Sequence, residues 1–347
     1  MLKTLVNEAH LRLNITTTGP LLIKSGYTTV IGADMTPVLT YRHGQQEVYL
    51  PGSSLKGVFR SHLEKVINSI KAQTACDPLS QLGSGGSQAS AAIRKDDASK
   101  LYRSSCGKYL EDKAKSLSKG QNLPSHQVYA DSCPTCRLFG STSFIGRIAI
   151  DDAYLPDGAV GTSDLLEHRD GVAIDRLTGG ASGSAKFDLN VVTAGTTFGT
   201  TIHLRNFEMW QLGMLFVLLQ DLEDELIRIG SGRSRGLGKV KAAISEQAEG
   251  SHPGGVVLST IRVSREKEPD SELWGLGRWL EDETSYGTKR DDLITLSPPV
   301  AHKPTGIRNS RVFIGDALKE VQEHCIDSFI TRIQQWPERL ANATSRR

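Results

Sequence analysis

Cys133 and Cys136 stand two residues apart in CPTCRLFGS, and Cys76 and Cys106 lie upstream in a polar stretch. The CxxC pair has metal-ligand spacing, and four thiolates bracketing a segment poor in core residues fit a structural Zn²⁺ site. Such a segment buries little apolar area and needs a staple. Free thiols are the alternative, and His126 could replace one ligand. A thioredoxin-type redox pair is disfavoured, because the CPTC stretch does not open a helix in a thioredoxin-like βαβ context. Cys325, the fifth cysteine, falls on the apolar face of the last predicted helix, where core packing accounts for it.

Two further segments could handle anions. In GSGRSRGLGKV, Gly230, Gly232, Gly236 and Gly238 alternate with Arg233, Arg235 and Lys239. Val240 follows the Gly-Lys pair where a phosphate-binding P-loop needs Ser or Thr. The loop also precedes a strand, whereas the dinucleotide fingerprint follows one. What is left is a permissive backbone flanked by cations, suited to a phosphodiester chain or simply to a solvated turn. The helix start GSSLKGVFR places Ser53, Ser54 and Lys56 beside free N–H groups, which is an anion site or an ordinary capped helix.

The elements that must position these groups follow from pattern. Residues 9–18 alternate as a strand, and 46–50 form a short edge strand. Ser53 or Ser54 is expected to cap a helix whose Leu55, Phe59, Leu63, Val66, Ile67 and Ile70 share a face, with Lys56 and Arg60 on another. Residues 77–125 break the pattern and read as a partly flexible insertion. A strand over 147–155, a hairpin with a Gly/Ser-rich tip near 167–190, a strand over 200–204, a helix over 208–228 and a last strand follow. The order strand, helix, strand, hairpin, strand, helix, strand is that of an α+β, ferredoxin-like or RRM-like domain. Beyond residue 250 the chain is largely polar. Trp274 and Trp279 are expected to anchor it, and Leu318, Val321, Cys325, Phe329, Ile330 and Ile333 outline a closing amphipathic helix. We therefore expect a domain over 1–247, carrying the insertion at about 74–140, and an extension over 248–347.

The 347 residues carry a formal net charge of only +2, so any basic surface must come from local clustering. The N-terminal residues lack an uninterrupted apolar run, and 209–222 is too short and interrupted to span a bilayer. A cytoplasmic protein without membrane association is expected.

Four motifs in this order, YLPGSSLKGVFRS, CRLFGS…GRIAIDDAYL, VAIDRLTGG and GSGRSRGLGKV, resemble the CRISPR-associated RAMP superfamily over about residues 11–243. They look most like backbone subunits of type III effector complexes, and the CPxCRLFGS and AIDRxTGG forms resemble the type III-D/E branch. The resemblance implies a modified RRM fold whose copies stack along a guide RNA paired with a target RNA, beside neighbouring backbone subunits and a large polymerase-like subunit. It implies RNA contacts at Ser53, Ser54, Lys56, Arg60, Arg233, Arg235 and Lys239. It further implies a β-hairpin thumb at about 167–190, with Val172, Ile174 and Leu177 as an apolar wedge and Arg169, Arg176 and Lys186 on the RNA backbone. Relatives of this branch are similar in carrying zinc-binding insertions.

In such proteins the target is cut by an acid in the loop after the first strand, through 2′-OH attack on the next phosphate with a divalent cation, Mg²⁺ or Mn²⁺. Here Asp34 is that loop's only carboxylate, three residues before Pro37 where the similar forms place the acid two before. Asp34 could anchor the cation or act as base, with His43 nearby in sequence. The alternatives are a non-catalytic guide-RNA scaffold, with Asp34 holding an Asx-turn, and a stand-alone RNA-processing endonuclease. The last role calls for a histidine acid or base, and no convincing histidine pair stands out.

Overall fold

In the computed structural model the described residues are 4–26, 33–79, 103–117, 122–159, 161–248, 250, 252–261, 267–280 and 286–337. Strand β1 (Asn7–Thr17) shows why the sheet has two unlike faces. Ala9, Leu11, Leu13 and Ile15 are buried, while His10, Arg12, Asn14 and Thr16 between them are half-buried. A short hairpin follows, β2 (Leu39–Arg42) with β3 (Gln45–Val48). His43 and Gly44 turn it with φ of 52° and 78°.

Helix α1 (Gly52–Ile70) buries Leu55, Phe59, Leu63 and Ile67, as the pattern predicts. Its start differs from expectation. Pro51 is the cap, no side chain caps the helix, and Ser53 and Ser54 lie inside the first turn. The Gly52 N–H instead donates to Asp152 at 2.7 Å, so a carboxylate from a distant loop replaces the expected serine.

Of the predicted insertion, residues 80–102 and 118–121 lie outside the described residues. Its remainder forms α2 (Cys106–Lys115), α3 (Ser125–Ala130) and α4 (Pro134–Phe139), then the small hairpin of β4 (Gly140–Ser141) and β5 (Phe144–Ile145). Regular pairing in the predicted 147–155 strand is confined to β6 (Ile148–Ile150), with bridges at Ala153 and Tyr154 beyond it. The long hairpin of β7 (Leu166–Ile174) and β8 (Ala181–Val192) pairs only with itself as a sheet. β9 (Thr197–Arg205), α5 (Met209–Glu223) and β10 (Val240–Ile244) complete the first part. Glu208 and Gln211 close α5 with reciprocal capping bonds.

The main sheet is antiparallel throughout its pairs. One edge of β1 pairs with β9, which pairs with β6. The other edge is shared: Leu13–Thr17 pair with β10, and Asn7–Leu11 pair with β11 (Val256–Ile261). The chain beyond residue 247 thus joins this sheet. After β12 (Glu272–Trp274), α6 (Leu276–Trp279) and β13 (Leu293–Thr295) come β14 (Lys303–Thr305) and β15 (Arg308–Phe313), which extend the sheet from β11. Helix α7 (Gly315–Gln334) buries Leu318, Val321, Cys325, Phe329 and Ile333 in the core that α1 and α5 share. Ile330, expected on that face, is exposed, because it lies off the stripe. Gly213 lets α5 approach α7 closely: a Cβ there would collide with the Cys325 carbonyl oxygen. The predicted anchor Trp274 is buried and meets Trp279 edge-on at 4.8 Å.

A buried ion network holds this last segment. Glu268 accepts from the Trp274 N–H at 2.5 Å and pairs with Arg311 at 2.7 Å and His302 at 3.0 Å. Both Glu268 and Arg311 are buried, so each charge is tolerable only because the other is present.

Candidate functional site

The chain returns to the cysteines three times before it re-enters the sheet. Cys76 sits in a bridge to Arg103, Cys106 opens α2, Cys133 caps α4, and Cys136 lies within α4. Their four sulfur atoms lie within 4.8 Å of one another, and all four residues are buried. None is in a disulfide. Backbone N–H groups already face the sulfurs: Cys133 N donates to Cys106 Sγ at 3.3 Å and Cys136 N to Cys133 Sγ at 3.4 Å. Guanidinium groups add charge, with Arg60 Nη2 at 3.2 Å from Cys136 Sγ and Arg103 Nη2 at 3.8 Å from Cys106 Sγ. Burial opposes ionisation of Cys133, yet hydrogen bonds from the other three thiols hold it well below the ordinary cysteine range. This is a soft, closed donor set that could hold a metal such as zinc and is unsuited to Mg²⁺ or Ca²⁺. His126 is not part of it: the ring lies edge-on to Tyr286, at 6.1 Å. Cys325 is a core residue, its thiol pushed up by burial.

The expected anion groups of α1 divide. Lys56 lines a groove of about 640 Å³ with Arg60, Ser105, Cys136, Phe144 and Ile145. Burial, and then the neighbouring Arg60, push its amine below the usual lysine range. Arg60 itself is engaged: it pairs with Glu64 at 2.8 Å and donates to the Gly140 carbonyl at 2.9 Å besides facing Cys136. Its place is at the cysteine cluster more than at the surface.

The predicted thumb is the β7–β8 hairpin. Val172 and Ile174 are exposed and Leu177 is 97% exposed. Asp175 shapes the turn by accepting from the N–H groups of Leu177 and Thr178. Arg169 pairs with Glu167 at 2.9 Å and Lys186 with Asp170 at 3.3 Å, whereas Arg176 is exposed. At the base, Leu189, Val191, Leu22 and Leu237 form a small separate core.

Asp34 meets the thumb at that base. Its N–H donates to Asp188 Oδ1 at 2.9 Å, and its Oδ2 accepts from the Asp188 N–H at 3.1 Å. The Asp34 N–H, first among the causes, holds the Asp188 carboxyl below the usual range. His168 lies 3.8 Å from Asp188. Sequence pattern could not reveal Asp188, 154 positions away in a strand of alternating residues. His43 is elsewhere, at the β2–β3 turn and 3.8 Å from Asp157.

In the glycine-rich loop, Gly230 and Gly238 have positive φ, and a Cβ on either would strike a carbonyl oxygen, of Leu22 and Ile229 respectively. These glycines therefore serve the loop's own packing. The three cations diverge. Arg235 lies over the Phe187 ring at 5.6 Å, toward the thumb base. Lys239 pairs with Glu225. Arg233 faces a cavity beside α1. Two histidine arrangements also escaped the sequence reading. His10 stands between His203 (5.8 Å) and His252 (4.9 Å) on the half-buried face of β1 and β9, and His62 contacts Asp221 at 2.6 Å. Cross-strand register and helix packing create both, and neither leaves a local spacing signal.

A family model described as the RAMP superfamily matches residues 14–241, from within β1 to within β10. The chain belongs to the RAMP superfamily. No curated protein matches it. Membership places this RAMP protein among CRISPR-associated RNA-binding subunits. Among its described residues no helix is long and apolar enough to cross a membrane.

Proposed function

We propose that this RAMP protein is a guide-RNA-binding backbone subunit of a type III CRISPR effector complex, of the III-D/E branch, and that it cuts the paired target RNA. The observation that carries this reading is the hairpin whose apolar tip is exposed while its base is bound to the Asp34 loop. A Leu177 with no protein surface to cover it suits insertion between bases, and unstacking exposes the sugar-phosphate geometry that cleavage requires. The β10–β1–β9–β6 order, with α1 and α5 against the sheet, supports a modified RRM plan. The four-cysteine cluster supports a structural Zn²⁺.

For cleavage, the displaced nucleotide's 2′-OH attacks the adjacent phosphorus, and the bond to the 5′-oxygen breaks. A 2′,3′-cyclic phosphate and a 5′-hydroxyl result, with the hydroxyl proton passing to the departing oxygen side through solvent or a base. A divalent cation, Mg²⁺ or Mn²⁺, would supply charge neutralisation on the phosphate. Asp34, with Asp188 beside it, is where such an ion would be held, or Asp34 would take the proton. Guide RNA would run past Lys56, Arg176, Arg233 and Arg235, the target would pair with it, and neighbouring backbone subunits and a large polymerase-like subunit would complete the assembly. The setting would be cytoplasmic.

The scaffold reading has its own support, since the Asp34 carboxylate already holds the Asp188 N–H and can be purely a latch. Asp34→Ala in the assembled complex separates the two. Loss of cutting opposite this subunit by about 10²-fold or more, with guide binding retained, is expected of a catalytic acid. Unchanged cutting at that position leaves the scaffold reading.

A further inference from the structure

The end of helix α7 rests on the cysteine-bearing insertion through a stack of guanidinium groups and aromatic rings. Arg147 and Arg137 both lie over the Tyr129 ring, at 4.3 and 4.8 Å. Arg137 also lies over the Trp336 ring at 4.6 Å, and Arg332 over the same ring at 5.2 Å. Tyr129 is fixed in place, because its hydroxyl donates to Glu208 at 2.9 Å at the start of α5. Trp336, just past α7, is buried and meets Trp210 of α5 edge-on at 5.4 Å. Within this stack Arg137 touches two rings, one from the insertion and one from the α7 end.

Arg137 gains little else from its burial. Its Nη2 donates to the Ala130 carbonyl at 2.8 Å, but Nε and Nη1 have no hydrogen-bond partner among the described residues. Burial pushes the guanidinium below the usual arginine range. A buried charge without a paired counter-charge is costly, and contact with ring faces offsets part of that cost. The backbone beneath the side chain must therefore hold it in. Leu138 and Phe139 anchor the far end of α4 in the core. The first turn of α4 is held from the other side by Cys133, whose sulfur accepts from the Cys136 N–H, and by Cys136 itself, the residue before Arg137. A helix of six residues adds no stability of its own.

We propose that the metal state of the four-cysteine cluster sets the docking of the α7 end, with Arg137 as the connecting group; this rests on the Zn²⁺ reading above. With the cluster loaded, the first turn of α4 is rigid and Arg137 stays over Tyr129 and Trp336. With the cluster stripped, that turn loosens, the guanidinium turns to water, and Trp336 loses the cation that ties it to the insertion. The change is confined to the end of α7, because Leu318, Val321, Cys325 and Phe329 keep the rest of the helix in the core.

Hydrogen exchange of the full chain, loaded with Zn²⁺ or stripped by a chelator, reads the docking. Stripping should speed exchange at the α7 end roughly tenfold, a usual size for coupled sites, while β1 and α5 stay slow. Arg137→Leu should keep its zinc by metal analysis and show the fast α7 end whether loaded or stripped, with circular dichroism checking the fold. Trp336→Leu keeps an apolar side chain and removes the ring. Linkage is reciprocal, so this variant should bind zinc more weakly than wild type in competition with a chelator, by up to about the same tenfold. It tests the coupling independently of whether Arg137→Leu folds. An α7 end equally slow in loaded and stripped wild type overturns the proposal and spares the zinc site. So does an Arg137→Leu chain that still responds to stripping as wild type does, or a Trp336→Leu chain with wild-type zinc affinity. Exchange in β1 that accelerates as much as the α7 end would mean global unfolding and refute a local latch. A wild-type chain that takes up no Zn²⁺ overturns the latch and the zinc site together.

Discussion

The cysteine-bearing insertion and the thumb are both excursions from the same sheet, and they are secured in opposite ways. The insertion gathers Cys76, Cys106, Cys133 and Cys136 into one buried cluster, with Arg60 reaching in from α1. Its described part has little apolar core of its own, so side-chain chemistry must fix its place. The thumb has an antiparallel ladder that is regular from Leu166 to Val172 and shifts register toward the tip, a small apolar core at its base and the reciprocal Asp34–Asp188 bonds. Among the described residues, no hydrogen bond or ion pair ties its tip to the rest of the protein. Among the described residues, one excursion is held at its buried cysteines and the other only at its root, which suits the proposed roles of a wall beside an RNA channel and a wedge that enters a duplex.

The largest effect should come from breaking the staple. Cys136→Ser removes one sulfur and leaves Arg60 facing a hydroxyl. We expect purified protein to carry zinc, the variant to lose most of it, and stability to fall by about 4 kcal/mol or more, as when a structural metal is lost. Hydrogen exchange should accelerate in residues 103–140 and stay slow in β1 and α5. A wild-type chain purified without metal and as stable as the zinc-loaded one would remove the basis of the comparison.

How much of this contrast the sequence contains depends on whether a feature is local. The alternation of β1 and the apolar stripes of α1 and α7 are visible because each element repeats its own burial pattern. The four cysteines are visible as donors, although only folding brings Cys76 and Cys106 to the CPTC turn. Ser54 looks like a cap and is not one, because Asp152, a hundred residues away, reaches the Gly52 N–H first. Arg60 looks like a surface cation and is drawn inward by Glu64 and Cys136. The partner of Asp34 is invisible, since nothing local marks Asp188. Likewise the union of β11 with β1 needs the full length of β1, whose two halves pair with different strands on one edge. Distant partners decide each of these.

The thumb's latch should yield to acid. The Asp188 carboxyl is depressed in the folded protein, so its contribution is complete above the ordinary aspartate range, near pH 3.9, and is lost as pH falls through the lower folded value. Asp188→Ala should therefore be less stable than wild type at neutral pH, by less than the cysteine change costs. That difference should close only in strong acid, and the Asp34 amide should lose protection in step. A gap between the two proteins that persists unchanged from neutral pH into strong acid would mean that the carboxylate is not what holds the base.

The smallest effect on stability belongs to the tip. Leu177 is 97% exposed, and the turn around it is shaped by Asp175 through hydrogen bonds to backbone N–H groups, not by the leucine. Leu177→Ser removes no buried area, so stability should change by no more than about 0.5 kcal/mol. If the apolar side chain is there to enter a base stack, the same change should weaken binding to a guide–target duplex while leaving single-stranded guide binding intact. The two readouts bear on different halves of the comparison. A clear loss of stability would show that the tip is packed and the thumb is not free. Unchanged stability with unchanged duplex binding would show that it is free and idle, and the reason for holding only its root would have to lie elsewhere.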